Sequence, residues 1–98
     1  MDRSYTIDEI KRISVPVARR YGVKKLALFG SYARGEQKAS SDIDFVIEKG
    51  RIKGLDFFGF INSLEDVLGV PVDVMTYQSL QDSLIRDAIA DEVVLYER

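Results

Sequence analysis

The sequence predicts an α/β (α+β) fold, a small mixed sheet with helices packed on it in the order α-β-α-β-α-β-α, followed by a last edge strand. Two observations predict it. In two long stretches, ending at Gly22 and Gly69, apolar residues recur every three or four positions, the period of a helix with one buried face. Three shorter apolar runs, Lys24–Phe29, Asp42–Glu48 and Val70–Thr76, are bounded by glycines or polar loops and have the length of strands.

Each element has its own signal. Thr6-Ile7-Asp8-Glu9 forms a capping box, and Ile7, Ile10, Ile13, Val17 and Tyr21 follow at helical spacing until Gly22. Pro16 removes a mid-helix hydrogen bond, so either a kink or a restart with Ser14 as a second cap is expected. The run Lys24–Phe29 is a buried strand that ends at Gly30-Ser31, with a short helical turn over Tyr32-Ala33-Arg34. Glu36–Ser41 is a polar loop, and Asp42–Glu48 is the second strand. A glycine-bounded basic loop, Lys49–Gly54, leads to the second amphipathic helix, carried by Leu55, Phe58, Ile61, Leu64 and Leu68. Val70–Thr76 is a third strand that tolerates Pro71 at its start. Leu80–Ala90 is a shorter helix, and Val93–Tyr96 a closing edge strand.

A chain of 98 residues is expected to form one domain, residues 1–98, burying roughly 60–65% of its unfolded surface. With 46% apolar and 31% charged residues the composition is that of an ordered soluble protein. The absence of cysteine and histidine excludes disulfides, thiolate or imidazole metal sites, and Ser-His or Cys-His catalysis. Any metal must be held by oxygen, which points to magnesium, manganese or calcium. Net charge is −2, with 12 Lys/Arg against 7 Asp/Glu through residue 54 and 2 against 9 from residue 55. That imbalance gives one surface polar ends but not the concentrated basic face of a nucleic-acid binder, so no direct nucleic-acid binding is expected. Met1–Tyr5 has no signal-peptide core and no run is long enough to span a membrane, so a cytoplasmic protein is expected.

The chemistry-bearing residues lie around the first two strands. Side chains alternate along a strand, so Ile43, Phe45 and Ile47 face the core while Asp42 and Asp44 share the other face. Two carboxylates so placed can reach one cation or a cation pair. The third strand repeats the pattern, with Val72, Val74 and Thr76 alternating with Asp73 and Met75, and Asp73 joins the cluster if the two strands are neighbours. Converging carboxylates repel one another and are stable mainly where a divalent cation offsets the repulsion. Gly30 allows close backbone approach of a ligand, the following helical turn offers N–H groups to an anion, and Ser31 adds a hydroxyl donor. No Walker A loop is present. Phosphate at this turn beside cations at the aspartates suits in-line phosphoryl chemistry.

Gly30-Ser31, ten residues, then Asp42-Ile43-Asp44, with Val72-Asp73-Val74 behind them, resembles the signature of polymerase-beta-type nucleotidyltransferases. Within that superfamily the chain most resembles the minimal nucleotidyltransferases (MNT), short proteins encoded beside HEPN-domain partners. The resemblance covers nearly the whole chain and implies the nucleotidyltransferase fold. It also implies ATP as donor and Mg2+ as cofactor, two ions held by Asp42 and Asp44 with Asp73 as the third carboxylate, and Mn2+ as a substitute. Asp73 would help to deprotonate or position the acceptor hydroxyl, and Gly30 and Ser31 would bind the triphosphate. Larger relatives carry a separate acceptor-binding domain that a chain of this length lacks, so a partner is implied. In toxin–antitoxin members of the family it is a HEPN toxin that receives AMP on a tyrosine.

Other readings stand beside this one. Arg34 contacts phosphate or acceptor, or is a surface ion-pairing residue. The basic loop is a solvated loop or touches an acidic partner, and of Phe57, Phe58 and Phe60 not all can face the core, so one marks a partner surface. At the level of function, the alternatives are a non-catalytic module that neutralises its partner by occlusion, and a stand-alone transferase acting on a small hydroxylated molecule.

Overall fold

Helix α1 (Ile7–Tyr21) begins where its capping box places it. In the computed structural model, which describes residues 5–33, 35, 42–79 and 92–98 and only the backbone of Ser31, Thr6 Oγ1 accepts the Glu9 N–H at 3.1 Å. Glu9 Oε1 in turn accepts the Thr6 N–H at 2.9 Å. Gly22 ends the helix in the left-handed region, at φ 74°. The expected restart at Ser14 does not occur. The Ser14 hydroxyl is fully buried and donates to the Ile10 carbonyl one turn back, at 2.6 Å, so it finds its partner within the helix and caps nothing. The helix runs unbroken through Pro16, whose exposed position lets water reach the Arg12 carbonyl that has lost its donor.

Strand β1 (Lys25–Phe29) runs directly into the one-turn helix α2 (Gly30–Ala33), which starts two residues earlier than predicted. Strand β2 (Ile43–Glu48) leads through the basic loop to helix α3 (Leu55–Leu68), closed by Gly69. Strand β3 (Val72–Thr76) begins only after Pro71, which has no N–H to give a ladder, and continues as a 3-10 turn over Tyr77–Ser79. Strand β4 (Val93–Glu97) is the expected final edge strand. The predicted helix Leu80–Ala90 and loop Glu36–Ser41 fall outside the described residues.

The four strands lie in the order β3-β2-β1-β4. β1 is antiparallel to both neighbours, whereas β2 and β3 are parallel and joined by α3, as a parallel pair requires a crossover. Ile10, Val17 and Ala18 of α1 and Phe60, Leu64 and Leu68 of α3 pack with Leu26, Leu28, Ile43, Phe45 and Ile47 of the sheet. Each of these Val, Leu, Ile and Phe side chains stabilises the fold by about 1.5–3 kcal/mol on burial. Between the helices, Tyr21 meets Phe60 edge-on with ring centroids 5.7 Å apart and hydrogen-bonds Ser63 at 3.0 Å. The Tyr5 hydroxyl donates to the Leu68 carbonyl. Phe60 is buried and Phe57 half-buried, while Phe58 is 63% exposed beside Leu55 at 84%, so the phenylalanines divide as expected between core and surface.

The opposite face of the sheet carries a second, smaller apolar group, Ala27, Phe29 and Val46, with Tyr77 against it. There the Tyr77 hydroxyl donates to the Glu92 carboxylate, and Lys25 Nζ lies 3.4 Å from Glu92 and 4.7 Å from the Tyr77 ring centroid. Burial, reinforced by the neighbouring carboxylate of Glu92, raises the Tyr77 pKa well above that of an ordinary phenol. The neutral phenol is therefore favoured in the folded state. Its stabilisation is complete below about pH 10, where the unfolded tyrosine is also neutral, and is lost as pH rises toward the folded pKa. Tyr77→Phe is expected to cost about 1–2 kcal/mol at pH 7. Urea unfolding at pH 7, 9 and 11 should also show a shallower alkaline loss of stability in the variant than in the wild type.

Candidate active site

The register of the sheet assembles the site. Phe29 is paired with Asp44 across β1 and β2, and Asp44 is paired with Asp73 across β2 and β3. The condition set for Asp73 holds: its strand is the neighbour of β2, and the two aspartates stand side by side about 4.8 Å apart in the sheet direction. Alternation puts both on the face away from Ile43, Phe45 and Val72, which are buried among the helices. Asp44 is half-buried and Asp73 exposed, and exposed Asp42 stands just ahead of β2. Among the described residues no group of three acidic side chains is gathered closely enough to cage a metal ion.

Gly30 is built into the same place. Its φ of +75° is one that side-chain-bearing residues rarely adopt, and a Cβ there would lie 2.5 Å from Asp44 Oδ2. The backbone of the β1–α2 turn thus lies directly against the carboxylate. α2 is a single turn, so its N–H groups have no acceptor within the helix, and the turn closes with Gly35 N–H on the Tyr32 carbonyl at 3.3 Å. Tyr32, 1% exposed, anchors this turn in the main core. The backbone of Ser31 is in the first turn of α2, and Arg34 lies outside the described residues.

The basic loop is elsewhere. Lys49 and Lys53, with Lys24, Glu48, Thr76 and Tyr77, line a cavity of about 540 Å³ at the end of β2 remote from Asp44. That cavity contains none of the predicted site residues. The aspartates beside the Gly30 turn, not this hollow, have the groups for cation and phosphate chemistry, because among the described residues they set paired oxygen ligands against a close backbone turn.

One residue near the site was not foreseen. Glu65, in the last turn of α3, accepts the Val72 N–H on its carboxylate at 3.1 Å, one residue before Asp73. The available signal was a carboxylate at a helix C-terminus, where the helix dipole disfavours negative charge.

Known proteins resemble this chain over most of its length. Residues 10–96 match the nucleotidyltransferase domain family. A Methanocaldococcus jannaschii chain named as a protein adenylyltransferase is 48% identical over 89 residues, spanning 90% of this chain and 95% of its own length. The protein adenylyltransferase MntA of Thermococcus cleftensis is 32% identical over 93 residues, spanning 90% of this chain and 94% of its own. Among solved structures, a toxin–antitoxin protein with AMP-PNP superposes with a TM-score of 0.74 at 20% identity, covering 90% of this chain and 73% of that one. A complex of tri-AMPylated Shewanella oneidensis HEPN toxin with MNT antitoxin gives 0.67 at 17% identity, covering 91% and 71%. At these identities the two structures establish likeness of fold.

Proposed function

Because this chain belongs to the nucleotidyltransferase domain family, we propose that it is a cytoplasmic antitoxin that transfers AMP from ATP to a tyrosine hydroxyl of a partner HEPN toxin. The observation that carries the reading is the juxtaposition of Asp44, Asp73 and the Gly30 turn at one end of the sheet. Relatives named as protein adenylyltransferases support the reaction, and a like-folded MNT antitoxin in complex with an AMPylated HEPN toxin supports the partner.

The donor set fits magnesium. It is all oxygen, and Gly30 lets the backbone of the turn come up against the Asp44 carboxylate, where a Cβ would collide with Oδ2. Asp42, Asp44 and Asp73 would hold the ions. Bound magnesium supplies charge neutralisation to the triphosphate and stabilises charge developing on the attacking and leaving oxygens. The chain's own groups do the rest. The Gly30–Ser31 turn binds the triphosphate through backbone N–H groups and the serine hydroxyl, and so orients the α-phosphorus. Asp73 accepts the proton of the tyrosine hydroxyl, whose oxygen bonds to the α-phosphorus. The bond from that phosphorus to the bridging oxygen of the β-phosphate breaks, and pyrophosphate leaves.

The test uses the position of the label. With Mg2+ and a purified HEPN partner, label in the α-phosphate of ATP should move onto a partner tyrosine, and label in the γ-phosphate should not. Partner silencing without any transfer of α-label would replace this reading by occlusion.

A further inference from the structure

We infer that Glu65 is a positioning residue for the carboxylate cluster, setting the start of β3 so that Asp73 stands level with Asp44; this rests on the proposed role of Asp73 as a metal-binding carboxylate. Among the described residues β3 is an edge strand, paired only with β2. The Ile43 N–H reaches the Pro71 carbonyl at 3.3 Å, so residue 71 faces β2. By alternation the N–H of Val72 points to the open side, where no described strand can accept it. The Glu65 carboxylate accepts it, at 3.1 Å. On the same residue the backbone carbonyl accepts the Gly69 N–H at 2.7 Å, so Glu65 holds both ends of the short connection from α3 to β3.

Two features mark this bond as more than incidental. The last turn of α3 holds no basic residue, and a carboxylate there opposes the helix dipole, so Glu65 is poorly placed for helix stability alone. Its bond also falls where drift would do most harm. Asp73 is the next residue along, it is exposed, and nothing described on the outer side of β3 besides this bond fixes its height against Asp44. A charge-assisted bond to the adjoining amide sets that height from a rigid helix.

The experiment follows Mn2+ binding by paramagnetic broadening in amide NMR spectra of the full chain, so it needs neither ATP turnover nor a partner. Glu65→Ala should weaken Mn2+ binding about tenfold, the lower end for residues that orient metal ligands. Glu65→Gln, which keeps an acceptor oxygen, should stay close to wild type, and Asp73→Asn marks the full loss of that ligand. Weakening in Asp73→Asn with none in Glu65→Ala overturns the inference while sparing the role of Asp73. Unchanged binding in both variants removes the role of Asp73 and the inference with it. Should Glu65→Ala not fold, the wild type still decides: the Val72 amide should be protected from hydrogen exchange despite its edge position, and free exchange overturns the inference.

Discussion

The double variant Asp42→Asn, Asp44→Asn is expected to lose nucleotidyl transfer by at least about a thousandfold while remaining folded. Ligands that hold catalytic cations underwrite several kcal/mol of transition-state stabilisation, and each 1.36 kcal/mol is a factor of ten in rate. Stability should move far less. Asp44 and Asp73 are directly paired on adjacent strands, and like charges so placed repel. Removing one relieves that repulsion, so without divalent cations the variant should melt close to the wild-type temperature. Wild type should then gain stability as Mg2+ is added, because a ligand bound only by the folded state stabilises it, and the variant should gain little. Thermal melts with and without Mg2+, beside the α-label assay, check both halves. Near wild-type transfer by the variant would remove these aspartates from the chemistry. A melt far below wild type without cations would make their role structural.

Much of this site was legible in the chain because its logic is local. Strict alternation of Ile43, Phe45 and Ile47 with Asp42 and Asp44 decides which face each takes, and one buried face leaves no freedom of register. The capping box at Thr6 and the stop at Gly22 are likewise read from a few neighbouring residues. What escaped, or stayed conditional, was non-local. Alternation put Asp73 on the correct face of its strand, but the pairing of Asp44 with Asp73 depends on a parallel crossover through α3. Nothing in either strand's own sequence specifies that alignment. Glu65 escaped for the same reason, since its partner Val72 is reached around the turn at Gly69. Ser14 was misread because serine caps helices and also bonds back to the preceding turn; burial, a tertiary property, selected the second role.

Gly30 separates what the sequence shows from what only the assembled sheet reveals, and Gly30→Ala is the second large effect expected. A glycine after an apolar strand reads as a turn, and the turn is real, with φ +75°. The sheet adds that a Cβ would lie 2.5 Å from Asp44 Oδ2 and 3.3 Å from its Cγ. Asp44 cannot yield through its backbone, because that backbone is paired with Phe29 on one side and Asp73 on the other. Its side chain must therefore rotate out of the cluster. Two costs follow. Backbone strain of about 1–2 kcal/mol lowers the melting temperature by several degrees in a domain of this size. Displacement of the carboxylate lowers transfer about a hundredfold, as misplacing a catalytic group by about 1 Å does. Gly54→Ala isolates the first cost: its φ is +53° and an added Cβ would meet nothing within 4 Å. That variant should melt as low as Gly30→Ala yet transfer AMP nearly as fast as wild type. If Gly30→Ala loses the stability but keeps the transfer, the turn is conformational only and the Asp44 carboxylate does not need the space beside it.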